Sequence, residues 1–329
     1  MTTNTVCDIH TIMYIRFFFG FRQNVPASKI LILFSFLVPL FVLAANVVFI
    51  LTIYYNKLPL QLITGASMFD YTVPLLMSFY TKEEFVYLAY KFVHGLDNLP
   101  SAKKVYKCFN RFIKMSLFYY ITVKCIYYMI FCYNISTMCL SVRLSFLVFI
   151  NYTWFLACDM GRFTIVLVFG LFYCRTRIMR TNLESDLNNG TWDKYSVMKY
   201  INIYEMLADF LEIVEPVKII GPVVISITWL LEYIGDPIVS TVAAAIVLDL
   251  INDNVNNMKL RFIEKKILSI DERQQTEIDR LLILIENRPL RFFILPNIPL
   301  TFKLFLGSFS FFVVNIIAIL QVKSFYSEN

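Results

Sequence analysis

Charge is scarce in this sequence, and so are glycine and histidine. Only 16% of its 329 residues are charged, where a soluble domain carries about a quarter. With two histidines, His10 and His94, and seven cysteines that form no CxxC or His-paired spacing, no metal site is expected. Nine glycines argue for plain helices and against glycine-kinked transporter cores. No nucleotide-binding, catalytic or nucleic-acid motif stands out, so neither an enzyme nor a cofactor nor a nucleic-acid partner is expected. An early cleavable leader is not expected either: Arg16, Arg22 and Lys29 punctuate the first thirty residues, and IRFFFGF is too short for its apolar core.

What is present is apolar. Hydrophobic residues make up 58% of the chain, with 32 phenylalanines and 20 tyrosines, and the mean hydropathy is +0.63. The expectation is an all-α membrane protein with seven transmembrane helices, read at roughly 30–53, 62–80, 116–135, 144–174, 217–235, 238–256 and 302–322. The fourth run is overlong and is expected to project into water. The sixth is purely apolar only briefly before Asp249. There Leu248, Ile251, Val255, Met258 and Phe262 continue at helical spacing, so the helix is expected to leave the membrane as an amphipathic rod.

Orientation follows from the basic residues between spans. The amino-terminal segment and the second, fourth and sixth loops hold 23 Lys and Arg, against three on the other side, Lys57, Arg143 and Lys323. Because basic loops stay in the cytoplasm, the N-terminus is expected inside and the C-terminus outside. The sequon Asn134-Ile135-Ser136 then falls on the outer side. Cys132 and Cys139 stand where a small hairpin disulfide is conceivable, with free buried thiols the expected state. The chain divides into a transmembrane ligand-binding region over 1–256, a cytoplasmic anchor and connector over 257–301, and a last span with a short outer tail over 302–329. Within the connector, Ser269-Ile270-Asp271-Glu272 has the pattern of a capping box. It is expected to open a helix with Ile278, Leu281, Leu282 and Ile285 on one face, ended by Pro289.

Two stretches then carry a resemblance. Tyr204 to Pro222, YEMLADFLEIVEPVKIIGP, and Glu277 to Gln321, EIDRLLILIENRPLRFFILPNIPLTFKLFLGSFSFFVVNIIAILQ, resemble the insect gustatory receptor family. That family's seven-helix subunits, with a cytoplasmic N-terminus, assemble as tetramers into ligand-gated cation channels. The family's last helix carries TYhhhhhQF, with h hydrophobic. Here Gln321 falls on the glutamine, while Val314, Asn315 and Val322 replace threonine, tyrosine and phenylalanine. The resemblance implies a plasma-membrane taste receptor for a small extracellular tastant, a homo- or hetero-tetramer with related receptors, surrounded by membrane lipid.

It also implies that the last helix lines the pore. At 100° per residue Ser308, Phe311, Asn315 and Ala318 form one face, and Ser310, Val314, Ile317 and Gln321 the neighbouring one, so which face lines a pore stays open. No acidic ring is present, which points to weak selectivity. Intramembrane charges are Asp70, Lys124, Asp159 and Arg162. Asp159 and Arg162 are three apart and able to pair on one helix. A tastant pocket is expected in the outer half, among Tyr127 and Tyr128, Asn151 and Trp154, and Trp229, Glu232 and Tyr233. An interfacial aromatic belt has the same composition. The rival classes are a G-protein-coupled receptor, disfavoured by the inverted orientation and missing DRY and NPxxY, and a secondary transporter, disfavoured by the lack of an inverted repeat.

Overall fold

The computed structural model describes residues 10–22, 28–53, 68, 71–76, 78–80, 96, 99–134, 142–189, 194–213, 236–269, 271–291, 293–295, 298–299, 301, 303, 306–307, 310, 314–315, 317–318 and 321. Seven helices can be bounded among these residues: α1 (His10–Phe18), α2 (Lys29–Ile53), α3 (Ala102–Asn134), α4 (Val142–Asn188), α5 (Lys194–Ile213), α6 (Asp236–Leu268) and α7 (Glu272–Asn287). Residues 71–76 and 78–80, and the described positions from 303 to 321 other than the 301 approach, are helical as well. The expected all-α class is therefore observed. One addition is a minimal antiparallel hairpin, β1 (Phe293–Leu295) with β2 (Ile298–Pro299), pairing Phe293 with Pro299 and Leu295 with Ile298.

The long helix α4 organises the rest, packing against α1, α2, α3, α5 and α6. At 47 residues it spans about 70 Å, more than twice a bilayer core, as the overlong fourth run implied. α6 runs unbroken through residue 256, and Leu248, Ile251, Val255, Met258 and Phe262 are all buried. Its stripe thus continues at a period of 3.6 from the apolar half into the charged half. The fifth expected span, 217–235, lies outside the described residues. Among the described residues no helix is long and apolar enough to cross a membrane.

Two cores result. The larger joins the first half of α3, the second half of α4, α5, α6 and α7, with Phe172 stacked on Phe210 and Tyr200 edge-on to Phe262. Helices α3 and α4 approach closely at Gly170, where any Cβ would collide with the Phe109 ring. The smaller core gathers Phe19, Phe21, Val42, Tyr71, Leu75, Ala157, Cys158 and Met160 around the segment after α1.

Arg16, one of the N-terminal cations in the charge count, is buried, with Nη1 donating to the carbonyls of Met160 and Gly161 in α4 and the guanidinium over the Phe21 ring. Tyr71 Oη donates to Phe19 O at 2.6 Å and the Arg22 amide to Ser78 Oγ at 2.9 Å, so residues 16–22 are bonded to two helices. A sequence count treats every cation as solvated. This one is held by carbonyls and an aromatic face instead.

Candidate functional site at the base of the last helix

The connector leading to the last helix starts from α7, and its start corrects the capping assignment. Asp271, not Ser269, is the N-cap: it sits in extended backbone and its carboxylate accepts from the Arg273 amide at 3.0 Å. Ser269 turns instead to the helix's own side chains, its hydroxyl donating to Gln274 Oε1 at 2.7 Å and its carbonyl accepting from Gln275 Nε2. From there Ile278, Leu281 and Ile285 are buried as the periodicity implied, while Leu282 is only partly buried. The helix ends at Asn287, two residues before Pro289. The Arg288 amide caps it by donating to Leu284 O at 2.9 Å.

Residue 288 is held from α5 on both its backbone and its side chain. Tyr204 Oη donates to Arg288 O at 2.9 Å. Arg288 Nη2 in turn donates to Asp209 Oδ1 at 2.8 Å and to Glu212 Oε1 at 2.6 Å. Asp209 and Glu212 are three apart on α5, so both carboxylates flank one face and a single guanidinium bridges them. Those two hydrogen bonds, the one to Asp209 foremost, hold the Arg288 pKa above its usual value. Burial raises the Tyr204 pKa, and the phenol stays a neutral donor. One turn earlier Tyr200 donates to Asp186 Oδ2 at 2.7 Å, which ties α5 to the end of α4; burial and then this bond raise its pKa.

The neighbouring connections tether the connector and α7 to α6. Arg291 Nε donates to Asn252 Oδ1 at 3.1 Å, Lys259 pairs with Glu286 at 2.6 Å and Lys266 with Asp279 at 2.6 Å. The last helix is thus reached through a segment fixed to both α5 and α6 within four residues of the end of α7. Chemically the arrangement neither transfers protons nor binds a metal; among the described residues no cluster of metal-ligating side chains occurs. It is a structural clamp that joins the end of α7 to α5 and α6.

The expected pocket residues are divided by the structure. Tyr127 and Tyr128 fall in α3 and Asn151 and Trp154 in α4, their side chains outside what is described. Trp229, Glu232 and Tyr233 lie outside the described residues, as do Asp70, Ser308 and Phe311. The side chains of Lys124 in α3 and Arg162 in α4 lie outside the described residues, and with them the expected Asp159–Arg162 pair. Asp159 itself is buried, next to the Met160 carbonyl that Arg16 reaches. Asn315, Ala318 and Gln321 are exposed on the last helix. The Cys132 side chain and Cys139 lie outside the described residues; Cys108, Cys125, Cys158 and Cys174 are in no disulfide.

Residue-level reading missed Tyr204, Asp209, Glu212 and Arg288 as a unit. Their signal was indirect: they lie inside the two stretches that carried the family resemblance, and the fold brings those stretches into contact. The chain matches no protein-family model, and no curated protein is significantly similar to it.

Proposed function

We propose that the chain is a seven-span membrane subunit of a ligand-gated, non-selective cation channel of the gustatory-receptor type, with a cytoplasmic N-terminus and an extracellular C-terminus. It resides in the plasma membrane and opens to a small extracellular tastant. Four subunits, identical or related, surround one pore.

The observation that carries this reading is the last helix. Leu306, Gly307, Ser310, Val314, Ile317, Ala318 and Gln321 recur at intervals of three and four and are all exposed, and a Cβ at Gly307 would meet nothing within 4 Å. A mixed stripe of small, polar and aliphatic groups facing outward from one subunit fits sister helices around a wet axis. Asn315, about 120° from Gln321, is exposed as well, so both candidate faces stay available to that axis.

The membrane part of the reading is supported by α2. After Lys29 its 24 residues carry no charge, about 36 Å of helix. Its outward side shows Ile30, Leu33, Leu37, Leu40, Phe41 and Leu51 at half exposure or more. A contiguous aliphatic face of that length fits hydrocarbon rather than water. The clamp at Arg288 then supplies the path by which movements of α5 and α6 reach the pore helix.

Whole-cell recording tests the function. Cells expressing the chain should show tastant-evoked currents that follow the cation gradients without G-protein support. Gln321→Ala or Asn315→Ala is expected to change conductance or gating, and no effect of either would remove both candidate faces from the pore. Currents that require a G-protein would favour the coupled receptor, and flux fixed to a co-ion stoichiometry would favour the transporter.

A further inference from the structure

Helix α3 carries six cations and no acidic residue in its 33 positions. Four of the cations line one side of an open groove of about 1040 Å³ along its surface. The row Lys103, Lys107, Arg111, Met115 and Tyr119 steps by four residues and so forms a continuous ridge. Beside it, Lys114, Phe118, Thr122 and Ile126 form a second. In both rows the character switches at one level: cations up to Lys114, and from Met115 onward methionine, aromatics, threonine and isoleucine. Met115 and Phe118 are 65% and 72% exposed, which in water would be an unusual place for such side chains.

Two lengths fit a lipid. The cationic part covers about 16 Å of helix, and the apolar part from Met115 to Ile126 another 16 Å or so, close to half a hydrocarbon core. Moreover, none of Lys103, Lys107, Arg111 and Lys114 is engaged by an acidic side chain among the described residues. Ion pairs elsewhere on the bundle, such as Lys259 with Glu286, show what cations in this chain do when a carboxylate is near. Among the described residues no carboxylate supplies that countercharge, which leaves the ladder open to an anion from outside.

We infer that this groove holds an anionic phospholipid of the cytoplasmic leaflet, its phosphorylated headgroup on the Lys103, Lys107, Arg111 and Lys114 ladder and its acyl chains along Phe118, Tyr119 and Ile126. The inference rests on the membrane reading but not on channel activity. Clustered basic residues at the water end of a membrane helix attract anionic headgroups by charge, and an apolar ridge continuing from them selects a lipid over a free anion. The same contact fixes the depth of α3, because moving it by one turn would pull Lys114 into hydrocarbon.

Native mass spectrometry of the detergent-solubilised full chain tests this with dioctanoyl phosphatidylinositol 4,5-bisphosphate, dioctanoyl phosphatidylcholine and inorganic phosphate as probes. The wild type should retain the anionic lipid and not the zwitterionic one, and millimolar phosphate should fail to displace it. K107Q/R111Q/K114Q should weaken retention about tenfold or more, whereas K265Q/R273Q/R280Q, which removes the same charge elsewhere, should change it less than twofold. Equal losses in both variants, equal retention of the two lipids, or displacement by phosphate would overturn the site. Membrane integration is read separately, by resistance to alkaline carbonate extraction. Loss of the lipid from a chain that stays in the membrane fails the site alone, and extraction of the wild type fails the membrane reading beneath it.

Discussion

Arg288→Ala is expected to move the ligand concentration for half-maximal current by about tenfold while leaving single-channel conductance unchanged. The substitution removes two charge-assisted bonds at 2.8 and 2.6 Å and leaves Asp209 and Glu212 facing each other without their shared cation. It does not touch the last helix itself, so the pore's lining stays as it was. The three side chains are a third to two thirds exposed, so each pair is worth only about 0.2–1 kcal/mol to stability. The chain should therefore still fold, and the effect should appear in the gating equilibrium, where couplings of about 1–3 kcal/mol are usual. Arg288→Lys should fall between, because an ammonium lacks the planar fork that bridges two carboxylates. The double change Asp209→Asn with Glu212→Gln should reproduce Arg288→Ala, and combining all three should add little, as expected of residues acting through one contact. Dose-response curves that do not move in Arg288→Ala would take the clamp off the gating path.

The second large effect is expected at Gly20. Its φ of +93° is backbone that favours glycine, and a Cβ there would stand 2.1 Å from Pro39 Cγ and 3.2 Å from Leu75 Cδ1. Gly20→Val combines a left-handed backbone penalty of about 1–2 kcal/mol with overpacking of about 1–3 kcal/mol against a ring inside α2. The proline ring cannot swing aside, and a branched side chain is the worst tenant for that φ. The release of such strain is to lift residues 16–22 from their seat, breaking the Tyr71 bond to Phe19 and the Arg16 bonds to α4. At about 3 kcal/mol, tryptic cleavage after Arg16 should accelerate on the order of a hundredfold, since opening then limits the accessible population. Arg16 is 1% exposed in the intact chain, so the wild type should resist the same digestion. Equal cleavage of both proteins would mean that the segment is not held as described.

How far the sequence foretold these structures depends on the range of the interaction. The stripe of α6 was legible because Leu248 to Phe262 repeats at 3.6 residues, and a helix must bury such a stripe whatever else surrounds it. The face of α7 was legible for the same reason. Its start was misread because Ser269 and Asp271 both satisfy the local preference for a cap, and only the geometry decides between them. The hairpin at 293–299 left no mark, as strands of three and two residues are too short to show alternation among prolines. The clamp was invisible residue by residue: Tyr204 and Arg288 are 84 positions apart, and no local pattern links them. The burial of Arg16 was not legible because a charge count carries no information on whether a cation faces water or protein.

The seven spans, the inward N-terminus and the outward C-terminus are what the proposed channel and its clamp both require. The most direct check is accessibility of epitope tags in intact cells, one at Met1 and one after Asn329 of the full chain. The account predicts that the C-terminal tag is labelled without permeabilisation and that the N-terminal tag is labelled only after it. Labelling of the N-terminal tag alone in intact cells, or of both termini together, would contradict it.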